Sequence, residues 1–491
     1  MSAKLRDTLA TILTGYLIVG LVVVLVVPGG RLPASGSTSH SPPSSPVTTV
    51  LDPRAPTPAS QTAAAASPAA SSPTIPESTT TVQRYGLPNT PHVQYRYTAL
   101  SDPMLPLYQT EPFLNRISAT GGWGSFNSSA PAPVIAVIDT GFALDHEDLQ
   151  SRWDGTQGTS SWTGWDFVDN DNNPMAGRTD PNGSAVFHGT MTAGLAGLLD
   201  PRAKIMPLQA LSDEGVGYTD TIAAAVQYAA NNGANIISLS LGTSEDDPYL
   251  HQEIDYAISK GVLVVAAAGN NGCNCLSYPA DYPEVLSVGA SDQNDNLASF
   301  SSYGANLDVL APGVDGDVCS SIYTATNATS AYSCGYSGTS FSTPIVSSLA
   351  SLLLEENPGL SPPEIITTIE QNADQVAGMD GQSHTLMYGY GRVDVAKAMA
   401  AVNSADEESY GATANSTCVG FPSATCDIHL VGPGNQVVDL GQQSLGDSGA
   451  ADYSWSATGL GLAAGSWQMI TTLTAAGDTI TLPTRTVSLS W

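Results

Sequence analysis

The sequence predicts an α/β fold: a doubly wound, mostly parallel sheet, preceded by an N-terminal transmembrane segment and followed by a small C-terminal β-sandwich. Three observations lead there. Apolar runs at residues 134–138 and 262–268 are continuous rather than alternating, as strands buried on both faces are. Between and beyond them fall stretches that tolerate helical spacing: MTAGLAGLL after Gly189 and Thr190, IAAAVQYAANN from Ile222, and FSTPIVSSLASLLLEE after Ser340. Past about residue 405 the pattern changes to short alternating strands separated by turn residues.

The N-terminal part sets the expected compartment. Residues 9–27 form an uncharged apolar stretch of 19 residues behind Lys4 and Arg6, long enough for a hydrocarbon core of about 30 Å. The run is longer than the roughly 7–15 residues of a signal-peptide core, and it ends at PGGR without an A-x-A pattern. It therefore reads as an uncleaved anchor with its basic tip in the cytoplasm and the rest of the chain outside; cleavage would make the protein secreted. Residues 28–82 are rich in Pro, Ser, Thr and Ala and too poor in large apolar residues to fold, which predicts an extended tether. The large α/β domain is expected over 83–404 and the β-sandwich module over 405–491.

Composition narrows the partners. The 491 residues carry 15 basic and 45 acidic side chains, a formal charge of −30, and a surface so negative repels phosphate and excludes a nucleic-acid binder of the usual basic kind.

The chemistry lies in four segments: VIAVIDTGFALDHEDL around Asp139, HGTMTAG from His188, AAAGNNG around Asn270 and SGTSFSTPIVSSLA around Ser340. A serine hydroxyl attacks poorly until a base takes its proton and a third group fixes the tautomer of that base. Ser340, His188 and Asp139 suit those roles. Asp139 is expected at the carboxyl end of a buried strand, where open α/β sheets place their sites, and Gly141 lets the chain turn away. His188 and Ser340 are each expected at a helix N-terminus, where the dipole favours developing negative charge, with Pro344 inside the first turn. Asn270, following a strand through Gly269, could join the backbone N–H of Ser340 in an oxyanion hole.

Taken together and in that order, the segments resemble the subtilisin-like serine proteases over about residues 102–401. The resemblance implies a serine endopeptidase acting on polypeptide substrates with a subtilisin-like sheet. It also implies that Gly215, Gly217 and Tyr218, and opposite them Ser240, Leu241 and Gly242, pair with an extended substrate. Ala267, Ala268 and Gly269 would then wall a roomy apolar pocket. Two rivals share the same residues: an inactive scaffold, and an esterase or acyltransferase. A folded inhibitory prodomain, usual in secreted members, is not recognisable ahead of Leu100.

In SWTGWDFVDNDNNPMAG the carboxylates of Asp166, Asp169 and Asp171 are crowded and followed by Asn173 and Met175. Crowding of this kind suits a hard cation with an oxygen shell, and the spacing resembles a structural Ca²⁺ loop of thermostable family members. An even count of six cysteines on the expected outer side suggests disulfides. Cys319 with Cys334 and Cys418 with Cys426 are plausible pairs, whereas Cys273 and Cys275 stand too close in sequence for an easy bond. The last module carries no catalytic constellation, so a structural or adhesive role is expected, with no partner readable.

Overall fold

The computed structural model describes residues 112–490 apart from 128–130, 177–186, 315–317, 319, 323–330, 334–335, 404–407, 411–412, 421–423, 433–435, 447–449, 476–477 and 483–484. The expected anchor at 9–27, the tether at 28–82, the junction near Leu100 and the Cys319–Cys334 pair all lie outside the described residues. No described helix is long and apolar enough to cross a membrane.

The chain opens with α1 (Pro112–Arg116) and β1 (Gly124–Asn127). A seven-stranded sheet follows, made of β2 (Val134–Asp139), β3 (Trp165–Asp166), β4 (Lys204–Gln209), β5 (Ile236–Leu239), β6 (Leu263–Ala267), β7 (Leu286–Ser291) and β8 (Val309–Pro312). Their order is β3-β4-β2-β5-β6-β7-β8, and every neighbouring pair is parallel. Successive side chains of a strand point to opposite faces, and here both faces are covered. Ile135 and Val137 of β2 pack with α2 (His188–Ala196) and α5 (Thr339–Glu356), while Ala136 and Ile138 pack with α3 (Thr219–Asn231) and α4 (Pro248–Ser259). The same division runs through β5 and β6. It is the physical reason the strands read as unbroken apolar runs. Because the chain leaves β2 first towards β4 and later returns to β5 on its other side, the carboxyl ends of β2 and β5 form the switch point at which such sheets open a crevice.

A short antiparallel hairpin, β9 (Ser320–Ile322) and β10 (Ala331–Ser333), precedes α5, and the module after α6 (Pro362–Gln371) and α7 (Val395–Asn403) consists of two sheets. One has the order β11 (Glu408–Tyr410), β18 (Arg485–Leu489), β16 (Gly465–Ala475), β13 (Thr425–Val431), β14 (Val437–Ser444), with β17 (Asp478–Thr481) on β16. The other joins β12 (Thr413–Val419) and β15 (Ala450–Ser456) to β1, which arrives from the far end of the described chain. The alternating segments around β13, β14, β16 and β18 were legible in the sequence; β12 and β15 were not. β12 buries polar letters on both faces, Ser416 and Thr417, made acceptable by the Trp455 indole donating to Ser416 Oγ at 3.1 Å and by Thr417 donating to Asp452. The core under α2 and α5 continues into this module through Ala414, Val419 and Trp455. Arg485, the only Lys or Arg in 405–491, forms a buried ion pair with Glu356 at the end of α5.

Two sequence expectations need correction. Cys273 and Cys275 are bonded to each other, with Cα atoms 5.2 Å apart, inside the roughly 4.4–6.8 Å that a disulfide spans; the tight turn closed by Cys275 N–H on Cys273 O supplies the approach. Pro344 sits sixth in α5, in its second turn rather than its first. Cys418 and Cys426 pair as expected and tie β12 to β13, one strand from each sheet.

Candidate active site

Asp139 ends β2 and His188 begins α2, and the two meet with Nδ1 2.7 Å from Oδ1. Their closeness depends on small residues. A Cβ on Gly189 would lie 2.3 Å from the Gly141 carbonyl and 3.2 Å from Asp139 Cβ, so only glycine lets the helix start against the strand end. Both side chains are buried, at 1% exposure for Asp139 and 2% for His188. The carboxylate is held on each oxygen: Thr140 N–H donates to Oδ1 at 2.7 Å and Thr192 Oγ1 to Oδ2 at 3.0 Å. Thr192 escaped the sequence reading, although its signal was present. It stands four residues after His188 on the same helix and therefore on the same face. With Nδ1 tied to the carboxylate, Nε2 is the nitrogen left for proton transfer.

Ser340 is the second residue of α5, and Phe341 beside it packs against the His188 ring at 5.7 Å between centroids. In this conformation the Ser340 hydroxyl donates to the Ser240 carbonyl at 3.2 Å, and the Ser240 hydroxyl donates back to the Ser340 carbonyl at 2.7 Å. Among the described residues no hydrogen bond joins Ser340 to His188. The second contact has a sequence cause. A residue four places on would close the helix on the Ser340 carbonyl, but that residue is Pro344, which has no N–H. Ser240 supplies the missing donor.

Asn270 follows β6 through Gly269. Its Oδ1 accepts from Thr339 N–H at 2.9 Å and from Thr339 Oγ1 at 3.0 Å. Two donors on one oxygen fix which way the amide faces. Its Nδ2 is buried and has no hydrogen-bond partner among the described residues. An orphaned buried donor is costly, by about 1–3 kcal/mol, and in a native fold it calls for an explanation.

The expected substrate segments border this centre. Leu211 and Gly217 form a bridge around the turn that contains Gly215, and Tyr218 precedes α3. Ser240, Leu241 and Gly242 follow β5 and are buried. Ala267 is the last residue of β6. Ala268 uses both backbone groups internally, donating to Val288 O and accepting from Ser277 N–H. Behind Gly269 stand the Ser277 and Ser302 hydroxyls, so that wall is more polar than the run of small residues suggests.

The acidic loop is more self-contained than its spacing implies. Asp166 and Asp171 bridge through their backbones. Asp166 Oδ1 accepts from Val168 and Asp169 N–H, Asp171 Oδ1 from Asn173 N–H, and Asn173 Oδ1 from Gln157. Met175 pairs with Phe142. The three carboxylates do not converge on one point. Burial, together with the charges of Asp169 and Asp171, nevertheless holds the Asp166 carboxyl above its ordinary value.

Comparison with known proteins agrees with this geometry. The subtilase family model matches residues 131–391. Thermitase of Thermoactinomyces vulgaris is 39% identical over 288 residues, 57% of this chain and 92% of that protein. Subtilisin Savinase of Lederbergia lenta is 35% identical over 291 residues, 55% of this chain and 96% of that protein. Among solved structures, a protease from Pseudoalteromonas arctica PAMC 21717 superposes with a TM-score of 0.51 at 26% identity, covering 61% of this chain and 98% of that one. The family model alone spans more than half of the sequence, and the chain belongs to the subtilase family of serine-type endopeptidases.

Proposed function

We propose that Ser340 attacks the carbonyl of a peptide bond while His188 takes its proton through Nε2 and returns it to the leaving amine, with Asp139 holding the imidazole in the required tautomer. The observation that carries this reading is the unpaired Asn270 Nδ2. Beside the N-terminus of the Ser340 helix it is a donor with no present acceptor, as a group waiting for an oxyanion must be. For attack, the Ser340 side chain leaves the Ser240 carbonyl and turns towards His188, the tightening expected when substrate enters. An extended polypeptide would add as a strand between Gly215–Tyr218 and Ser240–Gly242, with Ala267, Ala268 and Gly269 beside the residue before the scissile bond.

The setting is part of the same proposal. Disulfides at Cys273–Cys275 and Cys418–Cys426 favour an oxidising compartment. Together with the apolar stretch at 9–27 and the tether at 28–82 they support a protease held at the membrane and acting outside the cytoplasm. The catalytic domain would cover 83–404 and the module 405–491, the latter bracing the far end of the Ser340 helix. Ca²⁺ would bind the loop of Asp166, Asp169, Asp171, Asn173 and Met175 in a structural role, drawing in the exposed Asp169 and Asp171 and relieving their repulsion with Asp166.

Labelling with a serine-directed fluorophosphonate tests the nucleophile. The full chain should label and its Ser340→Ala variant should not; equal labelling of both would overturn the assignment.

A further inference from the structure

On the surface of α4, away from the residues assigned to catalysis, three side chains from two parts of the fold face one another. His251 and Asp255 stand four residues apart and so share a face of the helix; Glu284 comes from the segment leading into β7. His251 Nε2 lies 3.9 Å from Asp255 Oδ1 and 3.8 Å from Glu284 Oε2. One ring nitrogen therefore addresses both carboxylates. The ring is fixed in that direction by stacking on Tyr282, with centroids 3.7 Å apart and planes at 8°. Tyr282 is fixed in turn, its hydroxyl donating to Asp246 Oδ1 at 2.8 Å, while burial and the neighbouring Asp246 keep the phenol protonated.

We propose that His251, Asp255 and Glu284 form a binding site for a divalent transition-metal ion of the Zn²⁺ type. One imidazole and two carboxylates are the donor set such ions take, at about 2.0–2.2 Å. Tetrahedral ligands at that radius stand about 3.4 Å apart, so each imidazole–carboxylate distance needs to close by only about half an ångström, and the three ligand atoms already lie within 4.8 Å of one another. The formal charge of −30 adds a field that concentrates cations at the surface. A second such cluster, Asp427, His429 and Asp439, lies in the C-terminal module; there the contacts use both ring nitrogens, Nε2 to Asp427 and Nδ1 to Asp439, whereas at His251 Nε2 alone makes both.

Such an ion would link α4 to a wall of the cleft. Tyr282 follows closely on Tyr278, whose backbone pairs with Thr243, and on Ser277, which bonds Ala268. The bound metal would thus tie the outer helix to the segment that backs the pocket, and its effect should appear as resistance to thermal inactivation.

The test is Zn²⁺ titration by calorimetry of the full chain carrying Ser340→Ala, which prevents self-digestion. The parent should take up Zn²⁺, and one equivalent should be lost or weakened at least tenfold in both His251→Ala and Glu284→Gln. The Glu284 change is at the surface and leaves the Tyr282 stack in place, so it separates lost binding from lost folding. Absence of Zn²⁺ uptake by the parent would overturn the proposal, as would unchanged stoichiometry and affinity in both variants, or loss in His251→Ala alone.

Discussion

The Ser240 hydroxyl offers a sharp test of how this helix tolerates a proline. In α5 the Ser340 carbonyl is buried and cannot be reached by an N–H at position 344; Ser240 Oγ, 2.7 Å away, takes that place. Ser240→Ala leaves a buried acceptor without a partner, at a cost of about 1–3 kcal/mol. Restoring the backbone donor should repair the loss. In a Pro344→Ala background residue 344 has an N–H that can close the helix on Ser340, so adding Ser240→Ala should cost far less. The two substitutions are expected to couple by about 1–2 kcal/mol, within the range seen for residues that share one hydrogen-bond network. Urea unfolding followed by tryptophan fluorescence, in a Ser340→Ala background that keeps the carbonyl and removes the proposed nucleophile, measures all four corners. Additivity to within about 0.5 kcal/mol would refute the argument that Ser240 stands in for the missing N–H.

Three further predictions follow from the site and its surroundings. Asn270→Ala should lower kcat about 10²–10³-fold with little change in KM, the cost of one oxyanion-hole donor, a figure that comes from subtilisin itself; an unchanged kcat would remove Asn270 from the mechanism. Glu355, near the end of α5, is pushed up to about 9 by burial and by the charge of Asp200, against the opposing pull of Arg202. A carboxyl whose folded value is raised binds more protons folded than unfolded, so its stabilisation is full below the unfolded value and is lost as pH rises from about 4.5 towards 9. Urea midpoints between pH 5 and 9 should therefore fall less steeply in Glu355→Gln than in the parent, and parallel profiles would contradict this. If the Asp166 loop holds Ca²⁺, a chelator should lower the melting temperature and added Ca²⁺ should restore it; identical melts with and without the chelator would exclude that role.

The sheet and the places of the proposed catalytic residues within it were readable because their physics is local. A strand buried on both faces must be apolar throughout, and Asp139, His188 and Ser340 each stand where such a strand ends or a helix begins. The supporting contacts were harder to read because they depend on approach in space. Thr192 supports Asp139 from the next helical turn, Thr339 orients the Asn270 amide, and the Ser240 hydroxyl acts on a helix 100 residues away. The module was half legible: β13 and β16 alternate cleanly, whereas β12 conceals its burial behind Ser416 and Thr417, and nothing in the order of residues points to β1 as its sheet partner. For the C-x-C pair, spacing misled because a tight turn brings the two Cα atoms within bonding range.

The most direct measurement is mass-spectrometric mapping of cleavage in a peptide library by the full chain and by its Ser340→Ala and His188→Ala variants. Internal peptide-bond cleavage by the parent, lost in both variants, is the predicted result, and the sequences cut would also define the pocket beside Gly269. Cleavage that survives Ser340→Ala, or a parent that hydrolyses esters and leaves every peptide intact, would contradict the account.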